Sequence, residues 1–203
     1  MSSSTEKTRR LVGISLFTAL VVVLQLVATF LPMKPFTITL ALTPIVVGAA
    51  LYGPKAGAWL GGVFGVVVLI ACMIGADAGG AILWNASPLT TALLCIIKGA
   101  AAGLAAGLVY RAIAGKDSNR VLIGVIAAAV VSPVVNTGIF CTAMATLYHP
   151  ILVEWASGAG AANVVYYIFI GLIGVNFIVE LLVNSVLSPV VARIIKVGKK
   201  GVS

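Results

Sequence analysis

Charge is what this chain has least of. Asp, Glu, Lys and Arg make up 9% of its 203 residues, where a soluble domain carries roughly 25%. Acidic residues number five and histidine one. That leaves no second histidine for a metal cluster and no paired catalytic carboxylates. Neither G-x-S-x-G nor H-E-x-x-H occurs, so the usual nucleophile and zinc arrangements are missing. A G-x-x-x-x-G-K-S/T phosphate loop is also absent, so the chain does not itself bind ATP through that motif. The three cysteines, Cys72, Cys95 and Cys141, lie in or at the ends of apolar runs without metal-ligand spacing. They read as packing residues, with no disulfide framework. No enzyme activity, cofactor or metal is expected.

What is present is apolar: 61% of the residues are hydrophobic and the mean hydropathy is +1.18. This composition predicts an all-α, polytopic membrane protein in one domain, 1–203. The net charge of +8 then reads as basic cytoplasmic ends rather than as a nucleic-acid surface.

Six segments are predicted. A polar tail, 1–9, precedes an apolar run from Leu11 to Leu31 that is longer than a signal-peptide core and has no A-x-A site after it. Pro32 to Pro35 ends it. Phe36 to Leu40 alternates like a strand, and Thr43-Pro44 reads as N-cap and first residue of a short helix ending near Tyr52. At 1.5 Å per residue that helix covers only about 14 Å. It cannot span alone, so 36–42 is expected to enter the protein as an extended segment offering Thr39. The third segment, about 56–73, carries Gly57, Gly61 and Gly65 at four-residue spacing, a flat face suited to close helix contact. A flexible loop at 75–80 and a stretch with Trp84 and Asn85 lead to the fourth segment, 88–111. The fifth, 121–147, contains Ser132-Pro133 and Asn136, and the proline is expected to kink it. A loop over 148–160 holds His149, Glu154 and Trp155. The sixth segment runs over about 163–195, with Asn176, Glu180 and Asn184 on one face.

Charge sets the orientation. With both termini inside, the cytoplasmic ends collect Lys7, Arg9, Arg10, Lys55, Arg111, Lys116, Arg120, Arg193, Lys196, Lys199 and Lys200, and the outside keeps Lys34, Asp77 and Glu154. That asymmetry supports N-in and C-in ends. Asp77 reads as a solvated loop charge, and Trp59 as a cytoplasmic-side interfacial anchor.

Lys98 stands near the middle of an apolar span. An unpaired ammonium there costs at least about 2.5 kcal/mol, so it must face protein or a wet cavity. Lys98 and Glu180 each lie roughly 20 Å above a basic end, and Asn136 and Asn176 roughly 25 Å. The four therefore meet at similar depth. One account is a ligand site; Trp84 and Trp155, in outer loops, then read either as interfacial aromatic anchors or as a lid over a ring-bearing ligand. The other is a Lys98–Glu180 ion pair that holds helices together, with the asparagines as interhelical glue. A stand-alone transporter using Glu180 as a proton carrier is the rival function.

The pattern resembles the substrate-binding S components of energy-coupling factor (ECF) vitamin transporters. The likeness rests on the basic start and small-residue face of the first helix, the entry segment 35–42, the hairpin from Ala50 to Gly57, and Lys98-Gly99 leading into a glycine ladder. It is closest to the riboflavin and pantothenate branch. The resemblance implies six helices, a vitamin bound near the outer face, and docking of the first three helices on a transmembrane T subunit driven by two cytoplasmic ATPases. The docking motif of the family, A-x-x-x-A, falls on Ser15 and Ala19, with serine in place of the first alanine. The docking half is then 10–73, with Ser15, Ala19, Gly57 and Gly61, and the substrate half is 87–197, with Lys98, Asn136, Asn176 and Glu180 joined by Trp84, Asn85 and Thr39. Lys98 suggests an anionic ligand, which puts pantothenate first and riboflavin second.

Overall fold

A computed structural model describes residues 3–29, 41–115 and 117–174, together with 177, 178, 181, 189, 192 and 193. Among them the chain is helical, without strands. Helix α1 is Ser3–Thr29, α2 Leu42–Tyr52, α3 Pro54–Met73, α4 Ala78–Ala86, α5 Pro88–Ile113, α6 Val121–Thr146, α7 His149–Gly158 and α8 Val164–Tyr167, the last continuing as a π-helical stretch, Ile168–Ile173. Four helices, α1, α3, α5 and α6, are long and apolar enough to cross a membrane. The entry segment at 36–40 and nearly half of the sixth predicted segment lie outside the described residues, so the expected count of six is not tested there.

Helix α2 starts two residues before the expected point. Ala41 is its N-cap, with no side-chain cap, and Pro44 falls in the first turn, where its missing N–H has no helical partner to lose. The turn from α2 to α3 is one residue, Gly53, at φ +92°, a conformation open to glycine.

The bundle is organised by two glycine ladders. A Cβ on Gly57 would strike the carbonyl of Gly103, one on Gly61 the carbonyl of Gly99, and one on Gly65 the backbone at Cys95 and Ile96. The ladders step four residues at a time in opposite directions, so α3 and α5 lie antiparallel with backbones touching. The expected close contact is therefore present, and its partner is α5 of the same chain.

Helix α6 packs on the other side of α5, with Gly124 against Tyr110 and Ala114, and continues through Pro133 as one element. Val46, Val47 and Ala50 of α2 share a core with Ala106 and Tyr110 of α5 and with Val125 and Ala128 of α6.

Helix α1 is different. Its buried positions are Val21, Gln25, Ala28 and Thr29, one stripe at helical spacing. Near its start it is tied by side chains: Arg10 donates to the carbonyl of Tyr52 at 2.9 Å, Trp59 Nε1 donates to Thr18 Oγ1 at 3.3 Å, and the Tyr52 ring sits over Gly13 and edge-on to Phe17.

Two expected loops are helices. Asp77 is 5% exposed, and its carboxylate accepts from the Gly80 N–H at 3.0 Å. It is the N-cap of α4, not a solvated charge, because a carboxylate there satisfies a free amide and complements the helix dipole. Residues 149–158 form α7, with Pro150 in its first turn.

These connections place Arg10, Lys55, Arg111 and Arg120 at one end of the bundle, and Asp77 and Glu154 at the other.

Candidate functional site

Lys98 lies on α5, one residue before the ladder glycine Gly99. The contact between Tyr110 and Gly124 fixes the relative height of α5 and α6. Lys98 is twelve residues from Tyr110, and Asn136 is twelve from Gly124. Both rise about 18 Å, so they stand at one level. A helical side chain leans toward the N-terminus of its own helix. For Lys98 that direction is the Asp77 end, and its ammonium reaches the ring of Phe140, one turn beyond Asn136, at 5.1 Å from the centroid. Such a cation–π contact contributes roughly 0.5–2 kcal/mol, less than the cost of holding an ammonium in an apolar span.

Asn136 is 6% exposed, and among the described residues its Oδ1 has no hydrogen-bond partner. One turn down the same face, the Ser132 hydroxyl is fully buried and equally without a partner. Buried polar atoms are normally satisfied, because leaving one bare costs about 1–3 kcal/mol.

Toward the Asp77 end, a buried hydrogen bond of 2.7 Å between Thr91 Oγ1 and Tyr148 Oη joins α5 to the N-cap of α7. The Tyr148 hydroxyl also donates to the carbonyl of Ser87 at 3.4 Å. Burial pushes the Tyr148 pKa upward, and the Thr91 bond partly offsets that. Trp84 on α4 is half-buried against the cluster that includes Leu42, Phe64 and Val68. Asn85 is exposed. Trp155 packs with the Tyr148 and Leu152 cluster, and His149 is exposed.

Of the residues expected to bind substrate, the structure brings Lys98 and Asn136 to one level. Asn176, Glu180 and Thr39 lie outside the described residues, so the Lys98–Glu180 pair does too. Of the residues expected to dock a partner, Ser15 and Ala19 are exposed, on a face with Leu11, Val12 and Leu16 that the rest of the chain leaves uncovered. Gly57 and Gly61 are buried against α5. Their smallness serves a contact inside the chain, and a partner could use that face only by displacing α5.

The sequence reading passed over Gln25, Thr91 and Tyr148. Gln25 is the one amide in the apolar run of α1, a signal that was available. Nothing in the sequence links Thr91 to Tyr148, fifty-seven positions apart.

A comparison with curated proteins returns no match. A family model described as the substrate-specific component of ECF transporters matches residues 9–192. Proteins of this kind are membrane subunits that bind a small-molecule substrate and work with T and ATPase partners; they are not enzymes. With that match running through all four of the long apolar helices among the described residues, the chain belongs to the family of ECF transporter substrate-specific components.

Proposed function

We propose that this protein captures a small water-soluble vitamin for an ATP-driven importer, with pantothenate as the first candidate and riboflavin as the second. The observation that carries the reading is Lys98. It stands in an apolar span, level with Asn136, whose Oδ1 has no partner among the described residues, and its described contact is the face of Phe140. An ammonium so placed suits the carboxylate of pantothenate. Asn176 and Glu180 would complete the site from the last helix, Thr39 from the entry segment, and Trp84 and Asn85 from α4. Native mass spectrometry of the purified protein, alone and with each vitamin, tests this. Retention of pantothenate or riboflavin is the expected result, and failure to retain either would sink the vitamin assignment.

The exposed face of α1 around Ser15 and Ala19 is the surface proposed for the T subunit, with two ATPases below it. The basic end is proposed to face the cytoplasm of a bacterial or archaeal cell, with both termini inside and six segments in all. Cysteines placed at Asn119 and Ser157, both exposed, should be labelled from opposite sides of the membrane, Asn119 from the cytoplasm. Labelling from one side would end this topology.

A further inference from the structure

Helix α2 begins inside the bundle. From the Gly53 turn at the basic end its eleven residues rise about 16 Å, near half the hydrocarbon thickness. Its N-cap, Ala41, makes no side-chain cap bond, and a helix start carries partial positive charge.

Three buried polar side chains, each with an oxygen that has no partner among the described residues, stand around that start. A Cβ on Gly48 of α2 would lie 3.7 Å from the ring of Phe17, which sets the height of α1 against α2. Gln25 is eight residues above Phe17, and Leu42 is six above Gly48. Gln25 therefore sits about 3 Å above the first residue of α2. It also shares its face with Val21, which packs in one cluster with Ala41 and Leu42. Gln25 is 1% exposed, the only amide on the buried stripe of α1, and its Oε1 has no partner among the described residues. From α6, Ala128 shares a core with Val46 and Val47. Four residues on, Ser132 comes level with the start of α2, and Asn136 stands one turn above it. From α5, Gly103 is the rung beside Ile45 of α2, so Lys98 comes about 3 Å above the same point.

Gln25, Ser132 and Asn136 thus bring three buried polar atoms to about the level of the start of α2, and none of them has a partner among the described residues. Structural glue would be paired; interhelical side-chain hydrogen bonds are made in order to satisfy such groups. We infer that Gln25, Ser132 and Asn136, beside the start of α2, form the deep end of the ligand site, and that they take the hydroxyl- or amide-bearing part of the nutrient while Lys98 holds its anionic end. Two amide groups and a hydroxyl can both give and accept hydrogen bonds, which matches a neutral polyhydroxy or amide segment. This rests on the binding function proposed above, and it adds α1 to the helices that touch the ligand.

The test is thermal unfolding of the full-length protein and of Gln25→Leu, Ser132→Ala and Asn136→Leu, each without ligand and with added pantothenate or riboflavin. Without ligand, each variant should melt at or above the wild-type temperature, because an unsatisfied polar atom has been removed. With whichever vitamin stabilises the wild type, Gln25→Leu and Ser132→Ala should bind about tenfold more weakly or worse. Unchanged affinity in those two variants overturns the deep site. If neither vitamin stabilises the wild type, the vitamin assignment falls and the ligand-free melts decide. Variants as stable as the wild type keep the deep site; a drop in melting temperature for Gln25→Leu and Ser132→Ala shows structural groups and removes it.

Discussion

Helices α3 and α1 both show small residues at four-residue spacing, yet they do opposite things. On α3, Gly57, Gly61 and Gly65 bring the backbone onto α5. On α1, Ser15 and Ala19 stay exposed, and the helix is held by one inner stripe and a few side chains at its basic end. The α3–α5 contact is fixed by main chain and leaves no room for another partner. The outer face of α1 leaves all of its room. The same spacing is therefore a statement about distance of approach and not about who approaches. The two expected halves, 10–73 and 87–197, are joined by a backbone-to-backbone contact between α3 and α5.

The largest effect should come from the ladder. Gly61→Val places a branched side chain where even a Cβ meets the Gly99 carbonyl. Overpacking of this kind costs about 3 kcal/mol or more when backbone cannot move, and the expected result is loss of monodisperse protein on size exclusion. A folded Gly61→Val protein with a wild-type melt would show that α3 and α5 are free to separate.

On α1 the outcome should be reversed. Ser15→Trp or Ala19→Trp should leave the purified subunit folded and able to bind ligand, and should abolish uptake by the assembled transporter, because bulk blocks close helix approach. Weakened ligand binding with intact assembly would move this face of α1 into the ligand site.

Lys98 sharpens the comparison within the half proposed to bind ligand. Lys98→Met combined with Glu180→Leu removes both members of the expected pair, so no charge is left bare. The double variant should fold and lose about 2–5 kcal/mol of ligand affinity by titration calorimetry. Unchanged affinity in a stable double variant would remove Lys98 from the site.

Tyr148→Phe should cost about 1 kcal/mol of stability through the lost Thr91 bond. Because burial raises the pKa of Tyr148, the folded form keeps its proton to higher pH than the unfolded chain does. Its contribution is full below the ordinary tyrosine range and falls as pH rises beyond it. The phenylalanine variant should lack that part of the alkaline destabilisation in a pH series of melts.

The smallest effect is a control beside the largest. Gly62 adjoins Gly61, but a Cβ there meets nothing within 4 Å. Gly62→Ala should stabilise the protein by about 0.5–1 kcal/mol. A destabilised Gly62→Ala would mean that a neighbour covers this face of α3.

Much of the scaffold was legible because apolar runs long enough to cross a bilayer leave little choice of structure. The ends of α3, α5 and α6 lie within about two residues of expectation, as helix ends normally do. What was misread has particular causes. The glycines around Asp77 predict a flexible loop, and they mask the signal of a carboxylate at an N-cap. The glycines of α3 announced contact but not the identity of α5. Lys98 and Asn136 could be set at one depth by counting residues. Gln25 could not be connected to the start of α2, because that link depends on how three helices fold back on one another.

The ladder also has a genetic meaning. Every missense change in a glycine codon adds at least a Cβ. At Gly57, Gly61, Gly99 and Gly103 that one carbon already meets the opposing main chain. Tolerance at these positions is therefore close to all or nothing. In a saturation screen for uptake they should form four empty columns, while neighbours such as Gly62 fill with substitutions. Drift can reshape the surface of this protein freely, but the line where α3 meets α5 can change only by moving two helices at once.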